Sequence, residues 1–244
     1  MDTRVENRLK LFLWVGGVAT AAAAIFAAVA LTDARKVPSE TMSSTEPTVS
    51  GHATAGNLGR GRTARLVKGD PKSLVVQLDE LPGEFTMVAG ESKGAGEFAQ
   101  VYFNPQAFLA TNDASAGLLG VIVNLMLLDD LQAARARFVA QGGLDSNSVL
   151  QDVRSSTPGA VPKEVAPYSV TVPGTDRVLA FRVHYVLQET EVYEYRFRII
   201  VGNALVNLII SGRATADAEQ PANLERHART IVDRQVARLT AARG

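Results

Sequence analysis

The chain has no cysteine, and only three histidines among its 244 residues. The first absence excludes disulfides, thiolate metal sites, a cysteine nucleophile and a lipid-modified N-terminal cysteine. The histidines, His52, His184 and His227, have no second ligand at metal-binding spacing. Net charge is lacking too. The 25 basic residues balance 25 acidic ones, so there is no general pull toward nucleic acid or acidic substrates. No Gly-x-Ser-x-Gly elbow occurs. These absences point away from the motif-bearing enzyme classes, and no cofactor or metal is expected.

What the sequence does have is an uncharged run from Leu11 to Leu31, with nine Leu, Ile, Phe or Val residues and eight Ala. As a helix it would be about 30 Å long, the thickness of a bilayer's hydrocarbon core. The nine large apolar residues contribute roughly −3 to −5 kcal/mol to insertion. A retained transmembrane helix over 11–31 is the leading expectation. The bilayer is then the first partner. Arg4, Arg8 and Lys10 place residues 1–10 in the cytoplasm and the rest outside the inner membrane. The competing reading is a signal peptide cleaved after Ala28-Val29-Ala30, which gives a secreted soluble binding protein. Gly16, Thr20, Ala24 and Ala28 recur every four residues, a spacing that lets two membrane helices approach closely.

Residues 32–72 show no hydrophobic period and are rich in Ser, Thr, Gly and Pro. They read as a flexible stalk with an r.m.s. reach of about 35 Å. The Gly56–Arg62 stretch lacks the strand and helix that a phosphate loop needs.

From Ser73 the pattern becomes that of a domain over 73–244. Leu74–Leu78, Phe85–Ala89 and Ala99–Phe103 are expected to be strands, with a turn at Leu81-Pro82-Gly83-Glu84-Phe85. Leu118–Leu128 is apolar on both sides and reads as a central strand. Asp129 or Asp130 should cap a helix through Gln141. Between 178 and 212, alternation predicts an antiparallel meander of three strands. A three-residue loop at 189–191 would pair Tyr185 with Tyr195, and a Gly202-Asn203 turn would pair Val201 with Ala204. That registry sets His184 opposite Arg196 and Arg182 opposite Arg198 on one polar face. Like charges so placed repel. Arg182, His184, Arg196 and Arg198 are therefore the candidate residues for binding a ligand or partner. Asp79, Glu80 and Glu84 are a weaker candidate for calcium. An amphipathic helix runs from about Asp217 to Ala242.

The order of elements and the Leu81–Phe85 turn resemble uncharacterised bacterial cell-surface and lipoprotein-like domains that begin with a Leu-Pro-x-Gly-Phe turn. PsbP/Mog1-like α+β domains are a more distant likeness. Here Gly83-Glu84 replaces the usual x-Gly. The resemblance implies an α+β domain, a sheet with helices on one side, and a binding or assembly role with a protein partner. The alternative is a hydrolase-like envelope enzyme whose site is assembled from dispersed residues.

Overall fold

The structure is a computed structural model that describes residues 66–109, 117–141, 145–187, 190–213 and 220–244. Most of the described residues belong to one compact unit, 64–154 with 159–244. Predictions for the 11–31 span, its Gly16, Thr20, Ala24 and Ala28 face, and the stalk up to Arg65 lie outside the described residues. Among the described residues no helix is long and apolar enough to cross a membrane.

The α+β class holds. Seven strands form a single sheet in the order β1-β2-β3-β7-β6-β5-β4, with every neighbouring pair antiparallel. In chain order the strands are β1 (Thr86–Gly94), β2 (Glu97–Phe103), β3 (Leu118–Leu127), β4 (Val161–Pro167), β5 (Arg177–Leu187), β6 (Thr190–Val201) and β7 (Ala204–Arg213). The main helices are α3 (Leu131–Ala140), α4 (Ser146–Ser156) and α5 (Gln220–Ala241), with short turns α1 (Pro71–Leu74) and α2 (Pro105–Leu109).

As expected, β3 lies inside the sheet and Asp130 caps α3, its side chain accepting from the Ala133 N–H at 2.7 Å. The Gly202-Asn203 hairpin also forms, with Gly202 at φ 61° and Val201 opposite Ala204. The expected strand at Leu74–Leu78 does not. Asp70 and Pro71 start a helical turn instead, and Leu78–Glu80 is a 3-10 turn. The intervening Val75 and Val76 are extended and buried, but they bond to side chains rather than to a strand. The helix α4 and the edge strand β4 were not foreseen.

The larger correction concerns the β5–β6 hairpin. Leu187 pairs with Thr190, Tyr185 with Val192 and Val183 with Glu194. The register therefore differs by an odd number of residues from the expected one, and an odd shift exchanges the two faces of a strand. The reason lies in β6, which is apolar on both sides. Tyr195, Phe197, Ile199 and Val201 point to one face, while Val192 and Ile200 point to the other, and all are buried. Matching apolar to apolar across the hairpin then fails to single out one register.

Helices consequently cover both faces, not one. On the first face, α5 packs through Leu224, Ala228, Ile231, Val232, Val236 and Leu239 on Val121, Val123, Leu125, Val206, Leu208 and Ile210. On the second, α3 packs through Ala134 and Phe138 on Met126, Ile200 and Leu205. There α4 packs through Val149 and Val153 on Phe181, Val183, Tyr185 and Val192. The edges are blunted: β1 carries two bulges, and β4 carries Pro162 and Pro167 with a bulge between Pro162 and Glu164.

Burial and a nearby carboxylate raise the phenol pKa of four tyrosines, among them Tyr168 beside Glu225. Burial, then Glu80, pushes Tyr102 up to about 12. Burial, then Glu225, pushes Tyr195 up to about 12. Burial, then Glu194, pushes Tyr185 higher still. An unfolded tyrosine ionises near 10. Between pH 10 and 12 the unfolded chain has lost protons that the folded chain keeps. Stability is therefore expected to be intact below pH 10 and to fall as pH rises toward 12. Denaturant unfolding at stepped alkaline pH checks this, with the phenolate absorbance of Tyr102, Tyr185 and Tyr195 appearing only as the chain unfolds. Ionisation of these three near pH 10 in the folded chain would contradict it.

Candidate functional site

The corrected register separates the four residues expected to form one polar face. Arg182 lies opposite Tyr195 and His184 opposite Tyr193, on the α5 face. Arg196 lies opposite Phe181 and Arg198 opposite Leu179, on the α3/α4 face. There is no Arg182–Arg198 like-charge pair, so that hint of an anion is withdrawn. Arg198 does lie opposite Asn207, as expected.

On the α5 face Arg182 and Tyr168 have local partners, while His184 Nε2 makes no hydrogen bond among the described residues. Arg182 donates to Glu164 Oε1 at 3.1 Å, with both side chains about half exposed. The His184 ring stacks on Tyr193 with centroids 4.3 Å apart, and its Nε2 lies 3.5 Å from Glu191 Oε2. Nearby, the Tyr168 hydroxyl donates to Glu225 and accepts from Arg229.

The α3/α4 face is where polar groups converge. Its residues fall into three rows, because paired strands align their alternate side chains. The middle row runs Val101, Ile122, Ile209, Arg196 across β2, β3, β7 and β6. Val101, Ile122 and Ile209 are half-buried, and Arg196 is nearly buried, its side chain 11% exposed. The row above is Phe103, Gly120, Ser211, Glu194, and the row below is Ala99, Asn124, Asn207, Arg198. An aliphatic strip therefore ends on a guanidinium and is flanked by amides. The α3 helix packs near one end of the rows and α4 along β5 and β6.

The charged end is an ordered chain. The buried Tyr185 hydroxyl donates to Glu194 Oε1 at 2.8 Å, and Arg196 Nε donates to Glu194 Oε2 at 2.8 Å. Arg196 also pairs with Asp152 on α4. Burial opposes the Arg196 charge, but Glu194 and Asp152 outweigh it and push the guanidinium pKa up. Both oxygens of Glu194 are thus engaged, which makes the carboxylate a scaffold for Arg196 rather than a poised base.

In the lower row Arg198 donates to Asn207 Oδ1 at 3.1 Å and to the Phe138 carbonyl at 3.0 Å. Burial lowers its pKa. Asn207 Nδ2 passes a hydrogen bond to Gln141 Oε1 at 3.2 Å. Asn124 Oδ1 is buried with no hydrogen-bond partner among the described residues.

Sequence reasoning placed Glu194 and Asn207 on the face of Arg196 and Arg198 but missed Asp152, Tyr185 and Asn124 as members of it. One signal was present: Leu205 and Ile209 put apolar residues on the outer face of β7, which an open sheet face does not need. Among the described residues no group of three His, Asp or Glu is placed to hold a metal ion. Glu80, one of the acids near the Leu81–Phe85 turn, accepts from the Gln77 N–H and pairs with Arg238 at 2.6 Å. No known family model and no curated protein sequence matches the chain.

Proposed function

We propose that the chain is a single-pass, membrane-anchored module whose extracytoplasmic domain binds a protein partner through the Val101–Ile122–Ile209–Arg196 row. The anchor part rests on the 11–31 run and its flanking charges. The binding part rests on one observation: a row of half-buried aliphatic side chains ends on a guanidinium that two carboxylates hold in place. Apolar side chains beside a fixed Arg suit an interface core, where charged residues are depleted but Arg is enriched. Fixing Arg196 beforehand lowers the ordering cost of association. The role is recognition or assembly, without catalysis by this domain.

The test compares affinity purification of the full chain from detergent-solubilised native membranes with that of Ile209→Lys and Ile122→Lys. A specific co-purifying protein should be lost from both variants and retained by Glu164→Lys, which changes the opposite face. Equal recovery from all four chains, or recovery of the chain alone from wild type, would refute the proposal.

A further inference from the structure

Residues 66–81 form a strap that belongs to no strand of the sheet. Its one backbone pairing is an isolated bridge between Val67 and Arg243, at the far end of α5. The Lys68 N–H donates to the Ala242 carbonyl at 3.1 Å, and the Gly244 N–H to the Leu66 carbonyl at 3.3 Å. Beyond these, the strap is held by side chains. Asn203, in the β6–β7 turn, accepts from the Val67 N–H at 2.7 Å and donates to the Leu128 carbonyl at 2.7 Å. Gln235, fully buried on α5, accepts from the Val76 N–H and donates to the Leu74 carbonyl, each at 2.8 Å. The Tyr102 hydroxyl donates to the Val76 carbonyl at 2.5 Å.

Removing the strap would therefore break no bond of the seven-stranded ladder. It would uncover Val67, Leu74, Val75, Val76 and Leu81 from the core. That loss is offset by the backbone entropy that sixteen residues regain. A segment joined to the sheet by no ladder bond can open as its own cooperative unit.

We infer that residues 66–81 are a latch between stalk and sheet, closed at Val67 by Asn203 and the C-terminal residues, and that it opens ahead of the sheet. Open, it adds about 55 Å of extended chain to the stalk. The latch thus sets how far the binding face reaches from the anchor. Its use as a reach control rests on the proposed anchored function; its independent opening does not.

The absence of cysteine makes the test clean. Paired antiparallel positions place Cβ atoms roughly 4.5–5.5 Å apart, close enough for a disulfide after small adjustment. Hydrogen exchange by mass spectrometry is followed in the full chain in detergent for wild type, Asn203→Ala, and the double variant Val67→Cys, Arg243→Cys, oxidised and reduced. In wild type, amides of 66–81 should exchange at least about tenfold faster than those of β3, β6 and β7. Asn203→Ala should speed the strap more than β3, β6 and β7, and oxidation of the double variant should slow the strap alone. Strap amides as slow as the sheet amides, or a strap unmoved by Asn203→Ala, would overturn the inference. Carbonate extraction reports on the anchor independently of these rates.

Discussion

Replacing Arg196 by Ala is expected to lower the stability of the domain by about 3–5 kcal/mol, as for other buried pairs that lose one partner. The side chain is nearly buried, and its loss leaves Glu194 inside with one oxygen unmatched. Asp152 would at the same time lose its link from α4 to the sheet. Two further variants separate charge from volume. Tyr185→Phe takes one donor from Glu194 and should cost only about 1 kcal/mol. Arg196→Met combined with Glu194→Leu removes both charges and should recover most of the loss, since well-packed apolar residues often replace a buried ion pair at little cost. Denaturant unfolding of the four chains measures all of this. A loss below 1 kcal/mol for Arg196→Ala would mean that the ion chain is solvated and does not fix the guanidinium.

Phe138→Ala is the second large effect, again about 3–5 kcal/mol. Phe138 is fully buried on α3 among Ala134, Met126, Ile200 and Leu205. The Arg177 guanidinium lies 4.5 Å and that of Arg198 5.6 Å from its ring centroid. Two cations over one ring add attraction beyond apolar burial. Phe138→Leu keeps most of the volume but loses the ring, so it should cost clearly less than the alanine variant while still destabilising. Because the Phe138 carbonyl also accepts from Arg198, loosening α3 should disturb the lower row of the candidate site. Equal stability of Phe138→Ala and wild type would show that α3 does not seal this end of the sheet.

How much of this was legible in the sequence depends on what each element faces. The β3 run was readable because it is apolar on both sides and short. The Asp130 cap and the Gly202-Asn203 turn were readable because local chemistry alone determines them. The amphipathic pattern of α5 was readable too, and Gln235 lies within its apolar stripe. A buried glutamine in that stripe has no local explanation; its partners, Val76 and Leu74, lie about 160 residues away. The β5–β6 register failed for a related reason. Alternation fixes register only when one face is wet, and here helices cover both. The candidate site was therefore half legible. Arg196 and Arg198 belong to it, but Arg182 and His184 face the other way, and Asp152 enters from a helix that the sequence pattern did not reveal. Strand β4 escaped notice because an edge strand with two prolines and a bulge lacks the alternation that marks a strand.

The anchored-binding account is tested most directly in intact native membrane vesicles, with a photo-crosslinking residue placed at Ile209 and, separately, at Glu164. The account predicts a discrete adduct from position 209 that sediments with the membrane and is absent from position 164. No adduct from either position, or the same adducts from both, would contradict it.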